Sequence, residues 1–172
     1  MVSNIWINRV MQDIHRFMGV YSSNELTPPL AYPTYFIANF SRSYEKGTHF
    51  IAILFVNKDM YIYFDPLNLS FIPQNIQEYM HLNSKFVYQI NYTIQPPFSN
   101  FCGLFCIVCI MMHVNNIPLI QGITSFHEAS EQNDNKCVRM LEKLFKLYYL
   151  YLRLILVYRN RVYIYHHKHI NM

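Results

Sequence analysis

The chain has 172 residues, 52% hydrophobic and 17% aromatic, with fifteen Tyr, thirteen Phe and only four Gly. That length and apolar content build one ordinary domain with a substantial core, and they exclude a disordered or low-complexity chain. The net charge of +4 is mild and spread along the sequence, so contact with nucleic acid is admitted but not indicated.

The N-terminal segment carries Arg9, Asp13, His15 and Arg16 where a secretion signal needs an unbroken apolar run. Three of the four cysteines, Cys102, Cys106 and Cys109, crowd one segment and make a poor disulfide framework. An intracellular, reduced protein is expected.

In chain order, Ile5, Val10, Ile14 and Phe17 fall near a helical period, which predicts a helix over 4–17 with Gly19 as its stop. Residues 22–33 gather Ser, Asn and Pro and read as a loop, followed by a strand at 34–40. HFIAILFV (49–56) and MYIYF (60–64) flank Asn57-Lys58-Asp59 and predict an antiparallel hairpin. A turn at Asp65-Pro66-Leu67-Asn68 follows, then a short helix near 73–82 and a strand at 85–90. CGLFCIVCIMMHV, from Cys102, predicts the buried central helix, too short to span a bilayer. Residues 121–135 read as a polar loop, and a helical pattern resumes at Lys136. The apolar run from Leu144 to Val157 is interrupted by Lys146 and Arg153, which disfavours a membrane span. The last fourteen residues, RNRVYIYHHKHINM, have no assignment.

Cysteine chemistry needs a thiolate, and a Cys in the first turn of a helix gains from the positive end of the helix dipole. Cys102 has that placement, with Ser99 and Asn100 as candidate caps. Gly103 beside it leaves room for a substrate backbone. If the hairpin turns near Lys58, His49 and Asp65 meet at its open end. A carboxylate beside an imidazole fixes the ring's tautomer while its other nitrogen serves a nucleophile. Taken singly, each residue has a plainer reading: a buried core thiol, a strand-edge histidine, a turn aspartate.

The string Gln95-Pro96-Pro97-Phe98-Ser99-Asn100-Phe101-Cys102-Gly103-Leu104-Phe105-Cys106 resembles the active-site motif of adenovirus-type (adenain-like) cysteine proteases, a clan shared with the SUMO-specific proteases. Gly47-Thr48-His49-Phe50-Ile51-Ala52, Tyr63-Phe64-Asp65-Pro66 and Phe17-Met18-Gly19-Val20 resemble further segments of that family, in the same order. The resemblance implies Cys102 as nucleophile, His49 as base, Asp65 as its orienter and Gln95 as oxyanion donor. It places Phe50 and Gly103 at the substrate, with Phe50 where the family usually has Trp. It also implies an α+β fold, a central, mostly antiparallel sheet packed by helices, with the nucleophile at the N-terminus of a central helix.

On the same ground the expected activity is endopeptidase cleavage of viral structural precursors during particle maturation, in the virion and the host cell interior, the nucleus above all. Viral precursor polypeptides are the expected partners. No cofactor, metal or membrane is expected, and the chain is taken as monomeric. A viral peptide or DNA is the candidate activator, although residues 70–95 lack a cysteine through which a peptide would be tethered. Residues 1–140 are read as the protease domain, and 141–172 as a C-terminal helix and basic tail that either follows it or belongs to it.

Three alternatives stand beside this reading. One is a protease for ubiquitin-like modifiers, against which Phe101 occupies a place that is commonly polar or acidic there. Another is a non-catalytic binding or capsid-associated protein with the same fold. Metal chemistry is the third: Cys102, Cys106 and Cys109 have the spacing of an iron–sulfur motif, and His166, His167 and His169 cluster at the end. An apolar helix makes a poor cluster-binding loop, so Cys106 and Cys109 are read as packed core thiols.

Overall fold

The computed structural model describes the backbone of residues 3–169 and the side chains of residues 3–150. The fold is α+β, a five-stranded sheet in the order β1-β2-β3-β4-β5 with helices on both faces. The strands are β1 (Phe17–Ser22), β2 (Thr34–Asn39), β3 (Phe50–Phe55), β4 (Met60–Phe64) and β5 (Phe86–Gln89). The helices are α1 (Asn4–Met11), α2 (Gln74–Asn83), α3 (Cys102–Val114), α4 (Leu119–Thr124) and α5 (Gln132–His169).

The sheet is mixed, which corrects the expectation of a mostly antiparallel one. β3 runs antiparallel to β2 and β4, but β1 is parallel to β2 and β5 is parallel to β4. Both parallel partners are reached by long connections, residues 23–33 and the segment that holds α2, as parallel pairing requires.

Every residue of β2 and β3 is buried. One face of the central strands offers Ile37, Ala52, Leu54, Ile62 and Phe64 to a core shared with α1, α3, α4 and α5. The other offers Phe36, Ala38, Ile51, Ile53, Phe55 and Tyr63 to α2 through Ile76, Tyr79 and Met80. Burial on both faces is why HFIAILFV reads as a continuous apolar run rather than an alternating one.

The opening helix is shorter than its pattern. Ser3 caps α1 by accepting from the Trp6 N–H at 3.2 Å, and the helix ends at Met11. Ile14 is buried through a turn instead, and the segment taken as a helix end is β1. Gly19 stops no helix. It sits at a register shift of the strand with φ +130°, a conformation open to glycine, while Asn8 Oδ1 accepts from the neighbouring Val20 N–H at 2.9 Å. The polar stretch 121–135 likewise holds the end of α4 and the start of α5.

Eleven of the thirteen residues of α3 are buried, so it is the helix around which the core closes. α5 packs against it through Cys137, Leu144 and Tyr148, and the Tyr148 hydroxyl accepts from the His15 N–H at 3.1 Å and donates to the Asp13 carbonyl at 3.2 Å. Leu144 and Tyr148 thus tie residues beyond 140 into the core. Among the described residues no helix is long and apolar enough to cross a membrane.

Candidate active site

The hairpin register pairs Ala52 with Phe64 and Phe55 with Tyr61. Extended towards the open end, it brings His49, just before β3, against Asp65, just after β4. His49 Nε2 and Asp65 Oδ1 lie 2.6 Å apart, with the residues 6% and 1% exposed. The carboxylate is held by its own turn: Oδ1 also accepts from the Leu67 N–H at 2.9 Å and Oδ2 from the Leu69 N–H at 3.1 Å. Asp65 is therefore both a turn residue before Pro66 and the partner of a histidine, the first role fixing the geometry of the second.

An ionised carboxylate only accepts, so the ring carries its proton on Nε2 and keeps Nδ1 for another group. Burial opposes a charge on His49, but hydrogen bonding to Asp65 and to Cys102, with their charges, outweighs it and pushes His49 up to about 9. His49 is thus a protonated imidazole at neutral pH, raised from one side by the Asp65 carboxylate and from the other by the Cys102 sulfur.

Cys102 opens α3 and is 4% exposed. The other three cysteines are free and buried, and desolvation raises the thiols of Cys106, Cys109 and Cys137. Cys106 donates instead to the Phe50 carbonyl at 3.3 Å. Of the four, Cys102 alone raises the His49 imidazole. No three His, Cys, Asp or Glu side chains there converge as a metal set. The side chains of His166, His167 and His169 lie outside the described residues.

Ser99 and Asn100 do not cap α3. Phe101 is the N-cap, without a side-chain hydrogen bond, so the helix N-terminus stays uncapped. The N–H groups of Cys102 and Gly103 have no intrahelical acceptor by geometry and none elsewhere among the described residues. Gly103 is buried in that first turn. Open N–H groups at a helix start stabilise negative charge, whether on a thiolate or on an oxyanion.

Gln95 is 2% exposed and its backbone N–H donates to the Pro66 carbonyl at 2.9 Å, which seats it one residue from Asp65. Its Nε2 donates to the Ser99 carbonyl at 2.8 Å, across the loop that leads to Cys102. A primary amide has two N–H bonds, and this hydrogen bond uses one of them. Gln95 Oε1 is buried without a partner among the described residues.

The resemblance put Phe50 at the substrate, and the structure adds Phe40 and Asn133 to the surroundings of the site. Phe50 is 3% exposed and packs in the same core cluster as Cys102. Its ring faces inward because β3 alternates strictly between two cores. Phe40, half-buried, meets the His49 ring edge-on at a centroid distance of 5.1 Å. The Phe40 N–H donates to the His49 carbonyl at 2.9 Å, continuing the β2–β3 ladder. That pairing was open to reading from an antiparallel register of the strand at 34–40 on HFIAILFV. Asn133 was not: fully buried at the start of α5, its Nδ2 donates to the Ile94 carbonyl at 2.7 Å and fixes the backbone next to Gln95.

No family model matches the chain, and no curated protein matches it.

Proposed function

We propose that the protein is a cysteine endopeptidase. The observation that carries this reading is the buried 2.6 Å His49–Asp65 pair with Cys102 as its third member at an uncapped helix start. In the reaction the Cys102 thiolate, whose proton His49 holds, attacks the scissile carbonyl carbon, and the carbonyl electron pair moves onto oxygen. The N–H groups of Cys102 and Gly103 and the free N–H of Gln95 receive that charge. The tetrahedral species collapses, the C–N bond breaks, and the His49 imidazolium gives its proton to the leaving amine. Water then attacks the thioester with His49 taking a proton, which releases the acid and restores Cys102.

The motif around Gln95 and Cys102 supports an adenovirus-type enzyme. We infer cleavage after a small residue, commonly Gly, in structural precursors of the encoding virus or virus-like element. That activity belongs to particle maturation, in the virion and the host nucleus, with a viral peptide or DNA as activator. The test is to incubate the protein with such precursors and with ubiquitin-like precursors, with and without DNA, and to map the cuts by mass spectrometry. Cuts after Gly in structural precursors support the reading. Cuts only in ubiquitin-like precursors assign the modifier class instead, and an intact substrate set with Cys102 unreactive favours a binding protein.

A further inference from the structure

We propose that Asp134, in the first turn of α5, is a positioning residue that sets the direction of the Gln95 amide through Ser99. The inference rests on the peptidase reading for its consequence in turnover, but the link itself is structural. Ser99 is tied at three of its polar groups besides Asp134. Its N–H donates to the Pro96 carbonyl at 3.0 Å, its carbonyl accepts from Gln95 Nε2 at 2.8 Å, and its Oγ accepts from the Phe101 N–H at 3.1 Å. The hydroxyl proton goes to Asp134 Oδ1 at 2.7 Å.

A hydroxyl that accepts from one group and donates to another has its rotor fixed by both. Ser99 holds the two ends of the loop together: Gln95 at one end by its carbonyl and the residue before Cys102 at the other by its hydroxyl. The loop has no partner of its own secondary structure, so its conformation depends on what anchors it. Asp134 supplies a charged anchor from a different element, and a hydrogen bond to a charged group is worth more than a neutral one. Its place in the first turn of α5 also suits the helix dipole. Asn133, beside it, fixes the Ile94 carbonyl at 2.7 Å. The N-terminus of α5 therefore grips the Gln95 loop at both flanks.

Losing this anchor frees Ser99, and with it the Gln95 amide, without touching the His49–Cys102 pair. Three consequences separate positioning from general destabilisation. Asp134→Ala lowers kcat about tenfold or more with KM little changed, as expected for loss of a hydrogen bond to a charged group that acts on the transition state. Alkylation of Cys102 by iodoacetamide, a displacement at carbon that builds no oxyanion, stays at the parent rate. Asp134→Asn keeps an acceptor oxygen and restores turnover to within about threefold.

The experiment combines these kinetics with the side-chain amide signals of Gln95 in a ¹⁵N-labelled full chain. Slow exchange of the Gln95 amide protons in the parent and in Asp134→Asn, lost in Asp134→Ala, is the expected result. Asp134→Ala should also add little to Gln95→Ala, because both act through one group. A Gln95 amide equally protected in Asp134→Ala, or additive losses in the double variant, would overturn the proposal. If the amide responds as expected but the parent cleaves no peptide, the link stands and the peptidase reading fails.

Discussion

At the scale of single residues the account turns on what distinguishes four cysteines in one core. Cys106, Cys109 and Cys137 are buried thiols raised by desolvation, whereas Cys102 has a charged imidazole beside it. Iodoacetamide should therefore label Cys102 first in the folded protein, with the other three reacting only on unfolding, and peptide mapping reads the order directly. The proton on His49 sets the pH dependence. With His49 pushed up to about 9, the imidazolium needed by the leaving amine is present below that value and lost above it. The kcat/KM profile should fall on its alkaline side near pH 9, and Asp65→Asn, which removes a raising partner and leaves the burial, should move that limb to lower pH. Linkage has the same sign: protonated His49 stabilises the fold fully below the ordinary value of 6.5 and ceases to do so as pH rises through about 9. Urea midpoints of the parent should accordingly decline across that window more than those of His49→Gln.

At the scale of elements, β1 carries the most specific demand. Gly19 has φ +130° and a Cβ there would also stand 3.3 Å from Asn8 Oδ1. Gly19→Val should cost about 1–3 kcal/mol in chemical unfolding, chiefly through that backbone conformation. This element also marks how far the sequence could be read. The β3–β4 hairpin was legible because two apolar runs flank good turn residues, and with it came the meeting of His49 and Asp65. Phe17–Ser22 was not, because Ile14 and Phe17 match a helical period although a turn buries Ile14 and Phe17 opens a strand. β5 was read as a strand at 85–90, but the parallel pairing of β1 with β2 and of β5 with β4 was not legible, since a distant connection chooses the edge and no local pattern records it. Ser99 looked like a cap and instead organises the loop before one. Asn133 and Asp134 lie in a segment whose polar composition resembles a loop, and only the folded chain shows what they hold.

At the scale of the whole molecule, the site is assembled from distant parts: the open end of a hairpin, the first turn of α3 and a loop anchored by α5. α5 belongs to that assembly as well as to the core, where Leu144 is 2% exposed. Leu144→Ala should cost about 2–5 kcal/mol, measured by denaturant titration, because the cavity it leaves lies between two packed helices. Activity should survive in the fraction that remains folded. The central claim is that Cys102 becomes acylated by a peptide with His49 as its partner. An activated peptide ester ending in Gly, reacted with the full chain and quenched in acid, tests it by intact mass and peptide mapping. A single acyl adduct on Cys102, absent from Cys102→Ala and strongly reduced in His49→Ala, is the predicted result. No adduct, or an adduct on another cysteine that persists in Cys102→Ala, would contradict it.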